Sequence, residues 1–249
     1  MSSGETRVSD DLQESAQLPW HWEWVPRVRP GEDEHEAWTG HMVELFADWT
    51  SEGLAAARLA WPGDTETGFP ITSDMVGRGA AEWLLHRAGQ LPAWARLAWG
   101  AAFVEGRPRW APVPVVVEFL RPRAEDPNYL MEVVGATGRD SDARQPTVDY
   151  VTTPIGDGVQ VFALGRTAEG PAFGRLDSAM RLDVPPSGGA AAVSTDVLLT
   201  TRVLEMGLMA LIGAGVEQLM QQIANDCAPQ PDAGPARLGF VAATEGEPA

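Results

Sequence analysis

His41, Glu44 and Asp48 are the residues of this chain whose types and spacing come nearest to a metal centre. At i, i+3 and i+7 they share one side of a helix, and an imidazole with two carboxylates is a set that a divalent cation accepts. The second histidine of the helical zinc motif is missing. A solvated charged face is therefore the expectation for this trio. Asp140 and Asp142 form a second acidic pair, in a loop beside Gly138. A calcium loop needs further ligands at fixed spacing, so a solvated turn is expected there too. Trp20, Trp22 and Trp24 fall on one face of an extended segment. They suit either a strand packing its indoles on the core or an aromatic platform for a sugar or a Pro-rich peptide. Large aromatics mostly carry packing area, which favours the core. As a partner-binding surface these three residues are the candidates.

Other chemistries lack their residues. All 18 basic residues are arginine, so there is no lysine for a Schiff base, a P-loop or general-base work. No G-x-S-x-G elbow occurs. Gly156-Asp157-Gly158 and Gly213-Ala214-Gly215 lack the strand-to-helix context of a dinucleotide loop. His21, His35, His41 and His86 are scattered. The lone Cys227 forms no internal disulfide. No catalytic residue, no metal and no cofactor is assigned.

The elements that must position these residues centre on 113–184, which reads as consecutive strands. Segments 113–120, 129–134, 147–153 and 159–164 carry the β-branched or alternating signal. The run 174–184 alternates apolar with charged residues, as for a sheet with one wet face. Pro154-Ile155-Gly156-Asp157-Gly158 predicts a hairpin through glycine's tolerance of positive φ, and Glu105-Gly106-Arg107-Pro108 a second. Pro112 and Pro114 place the strand over 109–120 at or near a sheet edge, at least in its first half. Further strands are expected over 93–104 and 191–200. Trp38, Met42, Leu45, Phe46 and Trp49 keep one face of a helix over 34–60, with a break near Thr50 expected from Gly40 and Gly53. Thr72 caps a helix over 75–88 that stops at Gly89. Leu208, Ile212, Val216, Leu219 and Ile223 predict a long helix over 202–225, apolar nearly all round in its first half.

The 249 residues carry a formal net charge of −17. That charge repels nucleic acid and anionic membrane surfaces, and suits a basic partner or plain solubility. No signal peptide is expected from the N-terminus, and the apolar run over 206–216 is too short to span a bilayer. The expectation is a cytoplasmic protein with an acidic, disordered lead over 1–18, a single domain over 19–226, and a disordered Pro/Ala/Glu tail over 227–249.

The fold expected is α+β: one antiparallel sheet of about six to seven strands covered by helices on one face, with a long C-terminal helix. This order of elements over about 93–226 resembles the Mog1/PsbP-like sandwich, from which the helices before residue 92 depart. The resemblance implies a non-catalytic binding or assembly role and carries over no functional residues. The functional expectation is a protein-interaction protein, such as an immunity, chaperone or accessory factor, acting through an acidic or aromatic surface. The alternatives are an enzyme or metal-binding protein using His41, Glu44 and Asp48 or Asp140 and Asp142, and small-ligand binding on the Trp20/Trp22/Trp24 face.

Overall fold

The computed structural model describes residues 20–27, 31–62, 68–104, 107–108, 113–123, 126, 128–166, 170–184, 193–204 and 209–228. The lead over 1–18, Glu105 and Gly106, Pro112, the loop over 185–189, Gly207, Leu208 and the tail beyond 228 lie outside them. In chain order come β1 (Trp20–Trp24), α1 (Asp33–Ala60), α2 (Ser73–Gly89), β2 (Ala95–Val104), the two-residue β3 (Arg107–Pro108) and β4 (Val113–Leu120). Then follow α3 (Tyr129–Val133), β5 (Thr147–Thr153), β6 (Gly156–Arg166), β7 (Ala172–Val184), β8 (Val193–Val203) and α4 (Met209–Cys227). The fold is α+β. One antiparallel sheet runs β1-β2-β4-β8-β7-β6-β5, with β3 paired to β2.

Alternate residues of each strand point to opposite faces. On one face Val113, Val115 and Val117 of β4, Leu176, Met180 and Leu182 of β7, and Val197, Leu199 and Val203 of β8 pack against Ile212, Val216, Leu219, Met220 and Ile223 of α4. Helix α4 reaches both edges of the sheet. The Trp22 indole N–H donates to the Gly215 carbonyl at 2.9 Å, and the Gln221 amide donates to the Thr152 carbonyl at 2.7 Å. In a flat sheet of seven strands, edge strands β1 and β5 would lie about 29 Å apart. Gly215 and Gln221 are only about 9 Å apart along the helix. The sheet is therefore curled, and α4 fills its concave side.

The other three helices lie on the convex side, so the expected one-face cover is corrected to a two-face one. Leu97, Trp99 and Ala101 of β2 meet Trp38, Met42 and Phe46 of α1 and Ala81, Leu84 and Ala88 of α2. At the far end, Val134 and Ala136, just after α3, cover Val159, Val161, Ala179 and Leu198. The physical reason is visible in β2, where Leu97, Ala98, Trp99, Ala101 and Ala102 are all buried. A strand apolar on both faces needs cover on both.

Three local expectations change and two hold in part. Segment 129–133 is helix α3, not a strand: the Asn128 amide donates to Asp126 Oδ1, the Glu132 amide donates to the Asn128 carbonyl, and Gly135 ends the turn at φ +67°. A five-residue apolar run has too little period to separate the two states. Helix α1 runs through Thr50 unbroken, with the Thr50 hydroxyl donating to the Phe46 carbonyl at 2.7 Å. The edge position expected for the first half of β4 holds, since Val113–Val115 are registered against β2 alone, while its second half is interior, between β2 and β8. Its registered pairs with β8 start only at Val116, and the Thr201 hydroxyl donates to the Pro114 carbonyl, so the proline's missing donor falls where no ladder has begun. The hairpin expected at 154–158 is present, with Pro154-Ile155 linking β5 to β6, but the φ of Gly156 is not in the left-handed region; its role is space, since a Cβ there would collide with the Arg181 carbonyl oxygen. Arg202 belongs to β8, not to the last helix.

Candidate functional site

The charged face of β7 is the largest departure from the expected wet face. Arg175 and Asp177 are almost fully buried, as is Asp196 opposite Arg181 in β8. Arg175 donates to Asp142 at 2.6 and 3.3 Å, to Asp177 at 2.8 Å and to the Val134 carbonyl at 2.8 Å. Asp177 also accepts from Arg202 at 2.5 Å and pairs with Arg139 at 3.0 Å. Three guanidinium groups thus converge on two carboxylates. The network clamps the segment after α3 onto the sheet, aided by a bridge between Asp142 and Gly165. Burial lowers the Arg175 basicity, and its bonds to Asp177 and Asp142 outweigh that and raise it above the ordinary value. A second clamp joins Arg181 to Asp196 in a two-bonded fork at 2.7 and 2.9 Å.

Between Arg202 of the Arg175 network and α2, the convex face holds an open groove of about 390 Å³. Leu97 of β2, Val116 of β4 and Thr200 of β8 line it from the sheet, Trp83 and Arg87 from α2, and Arg202 from β8. The register explains the grouping, since Leu97 pairs with Val116 and Val116 with Thr200. Trp83 and Arg87 stand one helical turn apart on α2 and are both exposed.

Helix α1 overruns its partner. Gly77, near the start of α2, lies directly against the Val43 backbone, in the first half of α1. The last turns of α1 therefore extend beyond the start of α2. The chain folds back there with Phe69 edge-on to Trp61 at 5.5 Å and Arg58 over the Phe69 ring. Beyond Phe46 nothing in α1 is fully buried, and Leu59 is 91% exposed. Exposed Ala55, Ala56 and Ala60 and half-buried Leu54 extend that apolar surface. Exposed Glu44 and Asp48 lead up to it.

The sequence candidates fall in three places. His41 turns to β1: its Nε2 lies 3.5 Å from Glu23 Oε2, which is 3.6 Å from His21 Nε2, while the Trp38 indole donates to Glu23 Oε1 at 2.9 Å. Burial pushes the Glu23 carboxyl up, and the His21 ring, the His41 charge and the Trp38 N–H outweigh it and hold it below the usual range. Glu44 and Asp48 take no part in this cluster, and among the described residues no group of three or more His, Cys, Asp or Glu is arranged to hold a metal. Trp20, Trp22 and Trp24 belong to the core under α4; Trp20 and Trp22 stack at 5.3 Å, and a Cβ on Gly215 would strike Trp20. Asp142, expected in a solvated turn, is the 3% exposed partner of Arg175, whereas Asp140 is exposed. The groove residues had only a faint sequence signal, the i, i+4 pair Trp83 and Arg87 flanking the buried stripe of α2. No family model, curated protein or solved structure matches this chain. No helix among the described residues is long and apolar enough to cross a membrane.

Proposed function

We propose that this is a non-enzymatic interaction protein, and that it docks an amphipathic, basic segment of a protein partner along the outer face of α1. One observation carries the reading: the end of α1 overruns α2 and presents Leu59 almost wholly to solvent beside exposed alanines. Within a single chain such a surface has no folding role, and apolar patches rimmed by polar groups mark interaction sites. Glu44 and Asp48 supply the rim, and the net charge of −17 favours a basic partner on approach. An accessory, immunity or chaperone role fits this reading. The Trp20/Trp22/Trp24 face supports partner binding less, because α4 already covers it.

The test is paired capture from native lysate with the wild-type chain, Leu59→Glu and Tyr150→Glu. Tyr150 is 79% exposed on β5, at the opposite edge of the sheet from β1. The expected result is a protein retained by wild type and Tyr150→Glu and lost with Leu59→Glu. Capture that ignores Leu59→Glu would overturn the reading.

A further inference from the structure

We infer that the groove on the convex face is a binding site for a small aromatic carboxylate, bound through Arg87 and Arg202 with its ring against Trp83. This goes beyond the docking surface on α1 and does not depend on it.

The chain as a whole is strongly acidic, yet this region is locally cationic. The charged side chains that line the groove are both arginines, Arg87 and Arg202, the second already paired with Asp177. Arg87 makes no ion pair among the described residues. Glu118 stands two residues beyond Val116 on the same strand face and is not among the lining residues. It disfavours a second anionic group at that end, so the ligand carries its charge at the arginine end only.

Arg202 is held by its own neighbours: Nη1 donates to Asp177 Oδ1 at 2.5 Å and to the Thr201 carbonyl at 2.8 Å, and Nη2 to Asp177 Oδ2 at 3.4 Å. Its side chain remains 41% exposed. A guanidinium fixed by a buried carboxylate loses little freedom when its outer edge takes a ligand carboxylate. The planar fork matches a carboxylate in two-bonded geometry.

Leu97 and Val116 give an apolar floor, and Trp83 stands beside it with 51% of its surface exposed. An indole left open next to an apolar floor is a stacking surface for a second ring. The volume of about 390 Å³ lies within the range of small-molecule sites, which combine apolar walls with a few placed polar groups.

The experiment is isothermal titration of the full chain with benzoate, indole-3-acetate and 2-naphthoate, and with 2-naphthamide as the neutral match. Saturable binding of at least one acid is expected, with 2-naphthoate at least about tenfold tighter than the amide, because only the acid forms charge-assisted bonds. Arg87→Gln and Trp83→Ala, both at exposed positions, are each expected to weaken binding about tenfold with the melting temperature unchanged. Arg144→Gln, exposed and outside the groove, leaves binding intact. Three results would overturn the inference: equal affinity for acid and amide, binding unmoved by Arg87→Gln, or no saturation by any acid up to about 10 mM.

Discussion

Arg175→Met should be among the most damaging single changes in this protein, and Asp142→Asn should repair part of the damage. Arg175 is 2% exposed and makes three bonds to carboxylates and one to the Val134 carbonyl. Methionine fills similar volume and supplies none of them. Asp177 keeps Arg139 and Arg202, but Asp142 is left buried with only the Arg139 amide donating to it at 2.8 Å. Removing one partner of a buried pair costs about 3–5 kcal/mol, since an uncompensated charge remains. With a urea dependence of about 2 kcal/mol per molar, the unfolding midpoint should fall by roughly 1.5–2.5 M. Removing the second charge relieves the penalty, so Arg175→Met/Asp142→Asn should be more stable than Arg175→Met alone, with a coupling of about 2 kcal/mol. Urea unfolding of the four members of the cycle, followed by circular dichroism, measures this. Hydrogen exchange should localise the loss to 129–146. A single-mutant cost below about 1 kcal/mol, or costs that simply add, would refute the view that this network clamps the segment to the sheet.

Gly156→Ala, whose Cβ meets backbone, should lower stability by at least about 2 kcal/mol, whereas Gly40→Ala, in open space on α1, should raise it by about 0.5–1 kcal/mol; thermal melts of both variants check the contrast. Glu23 is held below its ordinary value of 4.5, so its contribution is present above that pH and lost as pH falls through the lower folded value. The stability gap between wild type and Glu23→Gln, about 1 kcal/mol at pH 7, should therefore close in acid; a gap that persists at pH 2 would exclude an ionised Glu23 as its source. Burial, with Asp226 beside it, pushes the Cys227 thiol up to about 11. Its reaction with a disulfide reagent at pH 7.5 should run on the order of 100-fold slower than that of an open thiol, and a rate equal to the open thiol's would contradict that burial.

Much of the fold was legible because period and turn chemistry are local. The strand over 147–153 and the Thr72 cap, which accepts from the Met75 amide at 3.2 Å, both follow from nearest neighbours. What was not legible depends on partners distant in sequence. The alternation in β7 identified two faces, but whether its charged face is wet depends on the 133–142 segment, which arrives with Asp142 to pair with Arg175. Proline at 114 reads as an edge residue, which holds for the first half of β4, whereas the interior position of the second half depends on β8, far on in the chain. The candidate sites suffered the same blindness. His41 has helix neighbours in sequence and a strand neighbour, Glu23, in space. Groove residues Trp83, Arg87 and Arg202 come from elements joined only by the sheet register.

The most direct test of the proposed docking surface is site-specific photo-cross-linking. A photoreactive phenylalanine is placed at Leu59, and separately at Tyr150, in the full chain in its native cells. A discrete adduct is expected from position 59, with a protein whose cross-linked peptide is basic and amphipathic, and none from position 150. The same adducts from both positions, or an adduct at 59 that is a second copy of this chain alone, would contradict it.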